Sequence, residues 1–134
     1  MAENTVVKEQ LTDAMIDAGA ELTKKLDEIG LSPTAALWLF DPEIGEWRLL
    51  FASPEVATKG RRSVYSRIRE ALDQLKEKAA AAPFSVISLL EPTAELVRLL
   101  RMAIHTGPVV GRVRFSKNVI HGHYIEDALI YRAD

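Results

Sequence analysis

The sequence predicts one α+β domain over residues 1–134, a single mixed β-sheet of about five strands carrying three helices in the order α-β-β-α-β-α-β-β. Three observations lead there. Apolar residues recur at helical spacing in three separate stretches, and shorter runs between and after them read as strands. No linker, repeat or low-complexity segment divides the 134 residues. Hydrophobic types make up 48% of the chain, enough for one well-packed interior at this length.

The first helix follows from Val7, Leu11, Ala14, Met15, Ala18, Leu22, Leu26 and Ile29, an apolar stripe at spacings of three and four. Asn4 is its expected N-cap, and Gly30 followed by Leu31 its C-terminal stop, reinforced by Ser32-Pro33. Ala35–Phe40 is apolar on both parities and so reads as a strand buried on both faces. Asp41-Pro42-Glu43-Ile44-Gly45 has turn chemistry, and Glu46–Ala52 alternates with Trp47, Leu49 and Phe51 on one side. The two runs predict an antiparallel hairpin.

Gly60 argues against a helix running through the next stretch, so a loop is expected at 53–60. The second helix starts near Arg61, with a seam of Tyr65, Ile68, Leu72, Leu75 and Ala79, and closes before Pro83. Phe84–Leu90 is short and largely apolar, which predicts an interior third strand. Pro92 sits in the first turn of a third helix, with Leu96, Leu99, Leu100, Ala103 and Ile104 inward and Gly107-Pro108 at its end. Val109–Ser116 alternates Val109, Val113 and Phe115 against Arg112 and Arg114, a fourth strand. A turn at Asn118–Gly122 then leads to a last strand, Tyr124–Tyr131. Leu37, Trp38, Leu39, Phe51, Ile87 and Leu100 are the expected core. Trp38 and Trp47 belong to the packing, each indole N–H needing an acceptor.

Composition narrows the function. The absence of cysteine excludes disulfides, thiolate catalysis and cysteine zinc sites. No apolar run approaches the roughly 18 residues of a membrane span. The polar N-terminus is unlike a secretory signal, so a reducing, cytoplasmic location is expected. A net charge of −2 hides a dipolar chain. Residues 1–46 carry ten acids and three bases, whereas 47–134 carry nine acids and fourteen bases. Residues 56–69 and 96–125 contain no acid at all.

Glu9, Asp13, Asp17 and Glu21 recur at i, i+4 on the first helix, roughly opposite its apolar stripe. That spacing is either a solvated face or a docking surface for a basic partner, including the arginines of a second copy. Arg61, Arg62, Arg112 and Arg114 are the basic counterpart, and with Arg48 they define an alternative reading as a nucleic-acid or polyanion binder. An acidic pI of 5.9 and aromatics in core phase make nucleic acid the less favoured partner.

The common phosphate-loop, dinucleotide, zincin and serine-hydrolase motifs are absent. His121 and His123, with Glu126 and Asp127 close behind, are the densest set of candidate metal ligands, although Asn118 and Gly122 place the histidines in a turn. His105 is expected in the last turn of the third helix, where it suits the dipole. Asp41 with Glu46-x-Arg48 resembles the acid and Glu-x-Lys arrangement of the restriction-endonuclease-like metal nucleases. It departs from that pattern at Arg48 and in its short spacing. A metal-dependent hydrolase is therefore the least favoured reading, and the turn accounts for Asp41 without catalysis. The leading expectation is a small non-enzymatic interaction protein that associates with itself, as a dimer or higher. It needs no cofactor or structural metal, and an unidentified protein is its other candidate partner.

Overall fold

The computed structural model describes residues 9–134. It contains the mixed five-stranded sheet and the predicted order, with one extra short helix. α1 spans Asp13–Glu28, β1 Ala35–Asp41, β2 Glu46–Ala52, α2 Glu55–Lys59 and α3 Arg61–Leu75. β3 follows at Ile87–Leu90, α4 at Glu95–Ala103, β4 at Val113–Ile120 and β5 at His123–Ala133. The strands lie in the order β3-β2-β1-β5-β4. Every neighbouring pair is antiparallel except β2 with β3.

β1 is central, and both its faces are buried for that reason. Ala36, Trp38 and Phe40 point into a core shared with α1 and α3, while Leu37 points into a second core with Leu100 of α4. The architecture is therefore three layers, two long helices on one face of the sheet and one short helix on the other. Trp38, Leu37, Phe51, Ile87 and Leu100 are buried as expected; Leu39 is only half-buried, because the layer over it is incomplete.

α1 closes as its sequence requires. Gly30 takes φ +86°, its N–H donates to Asp27 O, and Leu31 N–H donates to Leu26 O. This is the Schellman arrangement, and Leu26 and Leu31 are both buried beneath it. At the other end Thr12 caps the helix, its Oγ1 accepting from Met15 N–H at 3.1 Å. The expected cap Asn4 and stripe residue Val7 lie outside the described residues. α1 approaches the sheet closely at Gly19. Trp38 Nε1 donates to Met15 O at 3.1 Å and Tyr131 Oη donates to Ile16 O, so two large aromatics clamp the helix backbone. The other indole, of Trp47, donates to Glu9 O at 2.7 Å.

Several boundaries differ from expectation. Gly60, at φ +85°, breaks the chain between two helices rather than preventing the first, so 53–60 holds α2. The third strand is a sheet edge rather than interior, and its first residues form a 3₁₀ turn, Phe84–Val86. β4 starts four residues later than expected, at Val113, and runs through the predicted turn as far as Ile120. Only His121 and Gly122, both at positive φ, make the reversal, a two-residue hairpin matched by Ile120 pairing with His123. β5 extends to Ala133, and α4 ends at a C-cap on Ile104, which leaves His105 beyond the helix. Among the described residues no helix is long and apolar enough to cross a membrane.

Burial pushes the Tyr131 phenol well above its ordinary pKa of 10.0, and the hydrogen bond with Trp38 only partly offsets it. Because the folded-state pKa is the raised one, this contribution is complete below pH about 10 and is lost as pH climbs above it. Stability should fall by up to about 1.4 kcal/mol per pH unit in that range. Urea melts between pH 9 and 11 will show a shallower decline for Tyr131→Phe than for the parent chain. Equal slopes would mean that the phenol does not set the alkaline limit.

Candidate interaction surface

The basic side chains expected to form a surface are mostly engaged within their own chain. Arg61 Nη1 donates to Leu89 O at 2.6 Å, and Arg67 bridges Glu55 and Ile29 O. Arg112 pairs with Asp17 at 3.1 Å, joining an expected basic residue to the expected acidic face. Arg114 grips Asp127 with two hydrogen bonds of 2.7 and 2.6 Å, and Ser116 Oγ donates to the same carboxylate. The hydrogen bond to Asp127 outweighs desolvation and raises the Arg114 pKa further. Arg62 is exposed on α3; Glu9 is exposed but precedes α1 rather than lying on it, Asp13 is exposed in its first turn, and Glu21 is half-buried. Of the eight residues, Asp17 and Arg112 meet, Glu9 and Arg114 line one pocket where Arg114 turns to Asp127, and Arg61 seals β3.

The catalytic candidates are likewise absorbed locally. Asp41 Oδ1 accepts from Glu43 N–H at 2.9 Å, a turn-stabilising bond. Arg48 Nη1 donates to Ser85 O at 2.9 Å and Nη2 to Ser88 Oγ at 2.7 Å, tying β2 to the edge strand. His121 occupies the hairpin turn while His123 begins β5, so they do not share a strand face. His123 Nδ1 lies 3.8 Å from Glu95 Oε2 instead, an ion pair whenever the imidazole is protonated. Among the described residues no group of three or more His, Asp or Glu side chains is placed to hold a metal.

A different surface stands out, on the side of the sheet that carries α4. That helix buries Leu100, with Leu96, Leu99 and Ile104 half-buried beside it, against Leu37, Ile125, Ala128 and Ile130, and it buries Val97 against Ala35 and Ala52. Nine residues make a helix about 13 Å long, and five strands make a sheet about 19 Å wide. Leu37, Leu50, Ala128 and Ile130 on that face are buried, whereas Leu39, Val113 and Phe115 are left half-buried. The uncovered end is a hollow of about 440 Å³ between the start of α4, the β1–β2 turn and the start of β5. Leu39, Leu96 and Ile125 supply its apolar lining; Asp41, Glu43, His123 and Glu126 supply a mostly acidic rim.

Tyr124, also on the rim, is 56% exposed, and its hydroxyl donates to Glu126 Oε1 at 3.0 Å. That bond holds the phenol above its ordinary pKa. At the opposite end of α4, Arg98, Arg101, Met102 and His105 border a second depression. Met102 is 66% exposed, more than any other large apolar side chain among the described residues. The sequence marked Arg98 and Arg101 only as part of an acid-free stretch. Nothing in their spacing reveals the hollow, which is built by residues from three distant segments.

No protein-family model, no curated protein and no solved structure matches this chain.

Proposed function

We propose that the protein is a non-catalytic interaction module that associates with a second copy of itself through the face carrying α4. The observation that supports this is the incomplete layer on that face. A half-covered end of the sheet, an apolar hollow and the exposed Met102 and Tyr124 together leave apolar surface in water on this face. Covering it with a second copy gains the transfer energy of that surface, and a two-fold axis lets each copy serve as the other's cover.

The internal pairing of Arg61, Arg112 and Arg114 shifts the expected driving force. Those arginines support the folded chain rather than an interface, and the same engagement weakens the case for a polyanion binder. The bonds made by Asp41 and Arg48 support a structural rather than a hydrolytic role for the hairpin.

Static light scattering on a concentrated sample at low ionic strength tests the proposal. It should return a mass approaching twice the 14.9 kDa of one chain. A mass that stays at one chain under those conditions overturns it.

A further inference from the structure

Resting on the reading above, we infer that α4 packs antiparallel against α4 of a second copy, across a two-fold axis near Leu99, with Met102 of each copy entering the hollow of the other. The outer side of the helix carries Glu95, Arg98 and Met102, at spacings of three and four, with Arg101 exposed beside them. Residues so spaced form one stripe along a helix. Along that stripe the chemistry changes in order: acid, base, apolar knob. The hollow opens beside the acidic end, where Leu96 is part of its wall.

That order selects the geometry. Parallel packing sets acid on acid, base on base and knob on knob. Antiparallel packing about Leu99 sets residue 102 of one copy against residues 95 and 96 of the other. Met102 then meets the hollow, and Arg101 on the same turn meets Glu95. The two Arg98 side chains come nearest the axis, and each has the opposite Glu95 about one helical turn away, so they turn outward to it. Antiparallel helices also oppose their macrodipoles favourably. Methionine suits the knob, since its flexible thioether chain adapts to an irregular apolar space.

The partner is a second copy because this one surface contains both halves of the contact. An isologous interface requires such self-complementarity, with residue i touching j and j touching i. A foreign partner would have to reproduce the acid-base-knob order independently. The patch is small for a stable complex, so the association is weak and concentration-dependent.

Charge reversal distinguishes this arrangement from any other. Glu95 is 73% exposed and Arg101 is exposed, so their replacement leaves the core intact, which unchanged thermal melts will verify. Glu95→Arg leaves only basic charges on the exposed side of the helix, and Arg101→Glu replaces one of its two arginines with an acid. By sedimentation velocity each variant alone should be a single chain, whereas an equimolar mixture of the two should associate. The double variant Glu95→Arg/Arg101→Glu should regain self-association. Met102→Gln, which leaves the helix charges alone, should weaken association about tenfold or more. If the parent chain dimerises while the two single charge variants and Met102→Gln still do so alone, this inference and the choice of the α4 face fall, while self-association itself stands. If the single variants are monomeric but their mixture stays so, the antiparallel pairing is overturned. If the parent chain is itself monomeric, the broader proposal falls with it.

Discussion

Replacing Gly19 with alanine will lower the stability of the fold by roughly 2–4 kcal/mol, although glycine-to-alanine changes within helices ordinarily stabilise by about 1 kcal/mol. The reversal comes from what lies over that glycine. A Cβ there would overlap Tyr131 Oη outright and stand 2.7 Å from Trp38 Nε1. Neither aromatic can yield, since both are completely buried and both anchor α1 by hydrogen bonds to Met15 O and Ile16 O. Pushing the helix away strands those donors, and each buried orphan costs about 1–3 kcal/mol. Urea unfolding followed by circular dichroism measures the loss. Tyr131→Phe removes the nearest atom, so the double variant Gly19→Ala/Tyr131→Phe should be more stable than the sum of the two single effects predicts. Strict additivity would show that the close approach is not the cause.

The second large effect is expected at the ion pair between Asp27 and Arg132. Arg132 donates to Asp27 Oδ1 at 2.9 Å and Oδ2 at 2.6 Å, and also to Pro33 O at 2.9 Å. The two ends are unequally buried, with the arginine side chain 6% exposed and the aspartate 33%. Removing the carboxylate leaves a guanidinium buried without its counter-charge, so Asp27→Ala should cost about 3–5 kcal/mol. Removing the arginine leaves a carboxylate that water reaches, and Arg132→Met restores apolar packing in its place. That variant should cost distinctly less, about 1–2 kcal/mol. Thermal melts of the two variants will separate them. Equal losses would contradict the claim that the buried cation, rather than the bridge itself, sets the penalty.

Local chemistry made much of this fold legible. The alternation of Trp47, Leu49 and Phe51 beside an Asp-Pro-Glu-Ile-Gly turn defines the hairpin with its correct strands. Apolar residues on both parities of Ala35–Phe40 place β1 inside the sheet, where it pairs on both edges. Gly30-Leu31 ends α1 where a Schellman motif must end it. The third strand shows where local reading stops. Its residues are apolar enough to be buried, yet a run of side chains says nothing about which backbone edge finds a partner. The start of β4 is hidden for a related reason, since Val109 shares the parity of Val113 and Phe115 and nothing in the run marks where pairing begins.

The surface was less legible than the fold because its partners are far apart in the chain. Arg112 and Asp17 are 95 residues apart, and no charge count along the sequence reveals that they neutralise each other. Of the four arginines that composition singles out, Arg61, Arg112 and Arg114 make contacts within the chain, whereas Arg62 stays exposed. α4 was readable as amphipathic from its inward leucines, but its outward stripe gains meaning only from the half-covered end of the sheet beside it. That gap lies between the start of α4, the β1–β2 turn and the start of β5, a property no single segment carries.

The most direct test of association through α4 uses the absence of cysteine in the chain. Position 98 lies nearest the inferred two-fold axis, so Arg98→Cys brings two thiols together only if the helices pair there. Mild oxidation followed by non-reducing electrophoresis should give a covalent dimer for Arg98→Cys at concentrations where Lys24→Cys, exposed on α1, stays monomeric. Cross-linking no faster at position 98 than at position 24 would contradict the account.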